Sequence, residues 1–109
     1  MRIWDIRPSK LCRQHLLGEH RELHAIWSIL VHNKKGYSKH PETQRWKGKL
    51  AALYRRHEEL VKEMKKRGYN HNSDLDYRLA KGGRIQKDYV DSYSEQISIL
   101  RRKKCSCKV

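Results

Sequence analysis

The hydrophobic positions of this chain repeat at helical rather than strand spacing. Wound at about 100° per residue, Leu16, His20, Leu23, Trp27, Leu30 and Val31 fall within one arc of roughly 100°, which predicts a helix over residues 9–32 with a core-facing stripe. Pro8 and Ser9 mark its start. Glu19 lies at the edge of that stripe, so a carboxylate there must find a partner or a route to solvent. A second helix is predicted over residues 41–67, where Trp46, Leu50, Leu53, His57, Leu60 and Met64 alternate by four and three, as in a packed helix pair. Pro41 suits a first helical position. Lys62, Lys65, Lys66 and Arg67 crowd the last turn, and Gly68 is a natural stop. Residues 69–91 are irregular, punctuated by Asn70, Asn72, Ser73 and Gly82-Gly83, with a short helical turn near 74–80. Ser92 and Glu95 have the spacing of a capping box and open a third helix that carries Ile97, Ile99 and Leu100. No segment alternates as a strand would. The pattern predicts an all-α fold, a single compact domain over residues 1–109 with three main helices joined by irregular loops.

Composition changes the picture through charge. The 109 residues carry 26 Lys and Arg against 12 Asp and Glu, a formal net charge of +14, and no Phe. Such an excess opposes compaction unless a polyanion is near, and neutralised phosphates release counterions, so nucleic acid is the first partner to consider. A basic surface that serves solubility alone is the plainer alternative. No stretch approaches the roughly 20 apolar residues of a membrane span, and the first residues lack the apolar run of a signal peptide. Cys12, Cys105 and Cys107 are odd in number and have no framework spacing, which fits a reducing, cytoplasmic setting. They read as plain thiols, two of them in the tail, rather than as a metal site; neither metal nor cofactor is expected.

The face of the first helix opposite its core stripe holds the candidate chemistry. Gln14, Gly18, Arg21, Glu22 and Ala25 share an arc of about 100°, with His15 at its border. Gly18 and Ala25 leave the backbone thinly covered on either side of Arg21, so a ligand can approach closely, and Gln14 and Arg21 offer donors to phosphates or bases. Glu22 is out of place on a surface built only to bind phosphates. It either pairs with Arg21, Arg2 or a neighbouring histidine, or it acts as an acid/base or electrostatic stabiliser in a basic cleft. Trp27, Trp46 and His57 read as core residues. The basic cluster 101–104 is either a solvated tail or a phosphate contact.

The run Gln14-His15-Leu16-Leu17-Gly18-Glu19-His20-Arg21-Glu22-Leu23 resembles the first helix of the pyrimidine-dimer DNA glycosylases of the bacteriophage endonuclease V type. Lys66-Arg67-Gly68-Tyr69-Asn70 is similar to the turn that closes that family's second helix. Arg2-Ile3 stands at the family's distance from the first motif, and residues 88–101 carry a looser similarity. The resemblance implies an all-α enzyme that removes one base of a cyclobutane pyrimidine dimer and then nicks the strand as an abasic-site lyase. Its nucleophile would be the α-amine of Met1 and its essential carboxylate Glu22. Arg2, Gln14, His15, Arg21 and Arg101 would contact DNA. It implies double-stranded damaged DNA as the partner, no membrane, no obligate protein partner, a monomer, and a cytoplasmic location on the nucleoid. Three positions depart from the phage pattern: Met1 stands for a threonine exposed after methionine removal, Ala25 for a DNA-contacting arginine, and residues 105–109 for an aromatic tail.

The chemistry implied suits the residues. An α-amine has a reference pKa of about 7.7–8.0 against about 10.4 for lysine, so a substantial minority is neutral and nucleophilic near neutral pH. Basic surroundings disfavour the ammonium form further. Arg2, too large a second residue for methionine removal, would keep Met1 in place. The main rival is a non-catalytic basic helical module that binds nucleic acid. It accounts for the charge and for Arg21, but gives no reason for Glu22. A hydrolytic nuclease built on His15, His20 or His24 is the third possibility.

Overall fold

The N-terminal segment is the element that periodicity does not describe, and the helices are arranged around it. In a computed structural model, which describes residues 2–71 and 73–109, residues 2–6 run extended through the protein with Ile3, Trp4 and Ile6 buried. An extended segment inside a core has no ladder partner for its backbone, so side chains must supply the hydrogen bonds. Four do so. The Trp4 N–H donates to Glu19 Oε1 at 3.1 Å and the Asp5 N–H to Gln96 Oε1 at 2.7 Å. Arg45 Nη2 donates to the Ile3 carbonyl and Arg56 Nη2 to the Ile6 carbonyl, each at 2.9 Å.

Around this segment the protein is all-α, and no strand forms among the described residues. The helices are α1 (Arg13–Val31), α2 (Pro41–Gln44), α3 (Leu50–Lys66) and α4 (Tyr93–Arg102), with single 3-10 turns at Pro8–Lys10 and Tyr77–Leu79. Helices α1 and α3 pack together as the main pair. Three of the four helices are long, as the pattern of three main helices predicts. No helix of the described residues is long and apolar enough to cross a membrane.

The first predicted helix begins later than expected. Pro8 opens only one 3-10 turn, after which Leu11 becomes extended and buried and Cys12 caps α1. Arg67 fixes this break, since its Nη2 donates to the Leu11 carbonyl at 2.6 Å and to the Pro8 carbonyl at 3.2 Å. The buried face of α1 is also rotated from the predicted stripe. Leu16, Leu23 and Trp27 are buried as expected, but Glu19, Ile26 and Ile29 are buried with them, while His20, Leu30 and Val31 are only half-buried. The rotation draws Glu19 inward because a partner waits there. Arg56 Nε lies 2.7 Å from Glu19 Oε2 and Arg56 Nη2 lies 3.0 Å from Oε1.

The second predicted helix is two helices. After α2 the chain leaves helical geometry and turns at Gly48, whose φ of 75° suits glycine. Trp46, counted as part of a continuous helical stripe, is still buried, and Leu53, His57, Leu60 and Met64 face the core as predicted. The break lets a distant loop cap α3. The Ala51 and Ala52 N–H groups, unsatisfied by the helix itself, donate to the carbonyls of Lys81 and Gly83, each at 3.0 Å. Gly83 N–H in turn donates to the Gly48 carbonyl at 2.9 Å. At its other end α3 stops at Gly68, as predicted. The Tyr69 N–H reaches the Met64 carbonyl and the Gly68 N–H that of Lys65, the Schellman pattern. The last helix is also as predicted, with Ser92 Oγ accepting from the Glu95 N–H.

Two stability predictions follow from this architecture. Glu19→Ala leaves the Arg56 guanidinium buried without its partner and frees the Trp4 N–H, and urea unfolding should register a loss of about 3–5 kcal/mol. Glu19→Gln, which keeps an acceptor for Trp4, should lose less. A Cβ added at Gly82, where φ is 90°, would run into the Gly48 carbonyl. Gly82→Ala should therefore lower the melting temperature clearly more than Gly83→Ala, whose Cβ meets chiefly the flexible Lys49 side chain.

Candidate active site

The pinned N-terminal segment and the first half of α1 together enclose a cleft. Its lining is Arg2, Trp4, Gln14, His15, Gly18, Glu19, Glu22, Ile99 and Lys103, around a volume of about 300 Å³. Four of the residues implied as site residues, Arg2, Gln14, His15 and Glu22, therefore meet in one place, although Arg2 comes from the extended segment and the others from α1. Arg21 and Arg101 do not line it. Both are exposed, Arg21 beside Glu22 in the chain and Arg101 on α4, which contributes Ile99 to the wall. Met1 lies outside the described residues; its neighbour Arg2 is part of the wall.

One wall is a stack of three side chains. The Arg2 guanidinium sits 4.9 Å from the Trp4 ring centroid, a cation–π contact. Trp4 meets His15 edge-on with ring centroids 5.8 Å apart. Asp91 holds Arg2 from outside, its Oδ2 accepting from Nη1 at 2.7 Å. Arg2 is thus a paired cation, and its charge toward phosphates is partly offset by Asp91. Its position makes it as much a brace for the start of the chain as a phosphate contact. His15 is kept below its ordinary pKa by burial and by the nearby Lys103 cation, so it is a neutral imidazole at neutral pH.

The floor is the α1 surface that the sequence marked as thin. Gly18 lines the cleft, and a Cβ built on it would meet nothing within 4 Å. No packing demand therefore excludes a side chain at this position, and the open surface is left for a ligand. Glu22 is half-buried, and among the described residues it forms no ion pair or hydrogen bond with Arg21, Arg2 or any histidine. Of the two expectations for Glu22, pairing on a solvated helix is not what the described residues show. Glu22 thus lines the cleft as a carboxylate, and Lys103 is in the same lining. A second hollow of about 350 Å³ near Ile29, Lys47 and Gly82 holds no acid among its lining residues.

Two clusters of potential ligand atoms are also present, one away from the cleft and one that shares His15 with it. His20 and His24 of α1, His57 of α3 and His71 form one, with ligand atoms all within 4.8 Å of one another. Burial and the neighbouring imidazoles push His20 down to about 4, and burial lowers His24 and His57 as well. These three imidazoles are therefore available as neutral groups. Cys12, His15, Cys105 and Cys107 form the other cluster at the same spacing. In the sequence the tail cysteines look isolated, because Cys12 and His15 are some ninety positions away in the chain. The only signal was that Cys12 and His15 lie three apart, one helical turn. Trp4 and Asp91 carry no motif, and Lys103 is legible in the sequence only as a member of the basic cluster 101–104.

A prediction separates the ligand-facing role of Gly18 from packing. Gly18→Ala should stabilise α1 by about 0.5–1 kcal/mol in urea unfolding. The same methyl should obstruct close approach to the helix backbone and lower by roughly tenfold or more the activity on DNA that the resemblance implies.

Comparison with models of known protein families gives a match over residues 1–77 to one described as pyrimidine dimer DNA glycosylase. Neither the curated proteins nor the solved structures contain a match.

Proposed function

The chain belongs to the pyrimidine dimer DNA glycosylase family, and from this we propose that its cleft carries out base removal at ultraviolet-induced cyclobutane dimers followed by strand cleavage as an abasic-site lyase. The carrying observation is the meeting of Arg2, Gln14, His15 and Glu22 around the bare backbone of Gly18. The α-amine of Met1 is the nucleophile. Its neighbour in the chain, Arg2, lines the cleft and is braced by Asp91 and Trp4. The family implies a DNA substrate, and the charge of +14 supplies the long-range attraction for it. Arg21 and Arg101, both exposed, are phosphate contacts flanking the cleft rather than groups at the reacting sugar.

The neutral amine attacks the sugar C1′ as the glycosidic bond breaks, and the departing base takes the bonding pair together with a proton. Charge builds on the sugar as an oxocarbenium-like species, which the Glu22 carboxylate stabilises. The C1′–O4′ bond then breaks, O4′ takes a proton from water, and a protonated imine joins Met1 to C1′. Removal of a proton from C2′, which Glu22 accepts or relays, drives β-elimination. The bond from C3′ to the phosphate oxygen breaks, and water then hydrolyses the imine and returns the free amine. Dimer-containing DNA stacks poorly, so bending it and extruding a nucleotide costs less there than in intact duplex. Gln14 and neutral His15 are positioned to hydrogen-bond to the extruded strand.

Borohydride reduction tests the proposal. Incubation with duplex containing a dimer or an abasic site should trap a covalent complex whose linked residue is Met1. Glu22→Gln should slow strand cleavage by about 10²–10⁴-fold, and a residue added ahead of Met1 should abolish trapping. A protein with a free α-amine that binds DNA in a salt-dependent way but never traps would be a binding module, and full cleavage by Glu22→Gln would remove the role given to that carboxylate.

A further inference from the structure

All three cysteines of the chain converge on one histidine. Cys12 Sγ lies 3.1 Å and Cys107 Sγ 3.3 Å from His15 Nδ1, and Cys105 completes a set of four ligand atoms within 4.8 Å of one another. Cys12 caps the first turn of α1 and His15 lies one turn on, whereas the other two come from beyond α4. Zn²⁺ binds thiolates at about 2.3 Å and imidazole at about 2.0–2.1 Å, so in a tetrahedral site adjacent ligand atoms stand roughly 3.5–3.8 Å apart. The observed spacing is close to that. The Cys12 N–H donates to Cys107 Sγ at 3.1 Å, which ties the tail sulfur to the start of α1. Three thiolates on Zn²⁺ carry a net charge of −1, and the basic residues Arg101, Arg102, Lys103 and Lys104 adjoin the site in the chain. We propose that Cys12, His15, Cys105 and Cys107 hold a structural Zn²⁺ that fastens the C-terminal tail to the start of α1. His15 also lines the cleft, and metal on Nδ1 would leave Nε2 protonated as a fixed donor there.

A different observation carries a second site. The side chain of His71 is 3% exposed, and its Nε2 is buried without a hydrogen-bond partner. Its neighbours are three more imidazoles. His24 Nε2 lies 3.2 Å from His20 Nε2 and 3.1 Å from His57 Nε2. One ring nitrogen can donate a single proton, so it cannot satisfy both neighbours while His71 is left unmatched. A cation among them satisfies all four lone pairs. His57 turns Nδ1 toward Glu58 at 3.2 Å, and His71 turns Nδ1 toward Asp74 at 3.6 Å. A carboxylate behind the imidazole is the arrangement that orients and strengthens histidine ligands of metals. The geometry points to a second divalent transition ion, of the zinc type, on His20, His24, His57 and His71. It joins α1, α3 and the chain beyond α3. Both sites use four protein ligands and leave no open position for a reacting water, so they serve the fold rather than the chemistry proposed for Met1 and Glu22.

Elemental analysis of the full chain purified without chelator should find two ions, one for each cluster. Cys105→Ser and Cys107→Ser should each remove one, and His71→Ala should remove the other. Replacing the ions with Co²⁺ keeps the two apart even where a variant fails to fold. The wild-type protein should show a thiolate-to-cobalt charge-transfer band, which His71→Ala retains and the cysteine variants lose. Chelation should lower the melting temperature. A cobalt-loaded wild-type protein without that band, or a disulfide joining two of the cysteines, would overturn the first site. A wild-type protein holding a single ion that His71→Ala leaves in place would overturn the second. Borohydride trapping of Met1 by the wild-type protein tests the enzymatic proposal separately, since the metal readouts are taken without DNA.

Discussion

The buried contact between Glu19, Arg56 and the backbone of Trp4 is the constraint on which the rest of the structure depends. Glu19 is 2% exposed, and an isolated carboxylate in that position would be expensive to hold in place. Its two oxygens are used by Arg56 and by the Trp4 N–H. The same Arg56 donates to the Ile6 carbonyl, so a single ion pair holds α1, α3 and the N-terminal segment together. Arg45 repeats the device on the other side. It donates to the Ile3 carbonyl, pairs with Glu42 and Asp5, and ties α2 to the same segment. A 109-residue chain without Phe has a small apolar core. Charged side chains here carry out positioning that a larger protein would assign to strands.

That arrangement bears on the chemistry proposed for the Met1 amine. A terminal amine is of use as a nucleophile only if the chain end is held still, and chain ends are commonly the least ordered part of a domain. Here the residues that follow the terminus are buried and hydrogen-bonded on both sides, and Arg2 is braced against Trp4 and Asp91. The cost of ordering the N-terminal segment is met in folding rather than at the moment of reaction, which is the condition for effective preorganisation. The thin surface at Gly18 complements this, since it brings a ligand near the helix backbone at the place where Glu22 stands without a partner among the described residues.

The two ligand clusters extend the same theme of long-range fastening. The tail beyond α4 and the loop beyond α3 bury few apolar residues of their own. The cysteine cluster joins the first of these to α1, and the histidine cluster joins the second to α1 and α3. Small domains with polar composition commonly draw on ions or covalent links where burial of apolar surface falls short.

The sequence by itself determined the all-α class, the stop at Gly68, the cap at Ser92, the core face of α3 and the thin face of α1 that bears Gln14, Gly18 and Glu22. Each of these is a local matter of spacing or of a single residue's backbone preference, legible within one or two helical turns. Tertiary structure decided what joins residues far apart in the chain. It rotated the buried face of α1 so that Glu19 could meet Arg56, and it split residues 41–67 at Gly48 so that the loop at residues 81–83 could cap α3. It paired Arg2 with Asp91, and it gathered Cys12 and His15 with Cys105 and Cys107. Periodicity measures the solvent preference of side chains along one helix. It carries no information about which buried polar atom will face another across the core, and in this protein those pairings decide where the N-terminal segment lies.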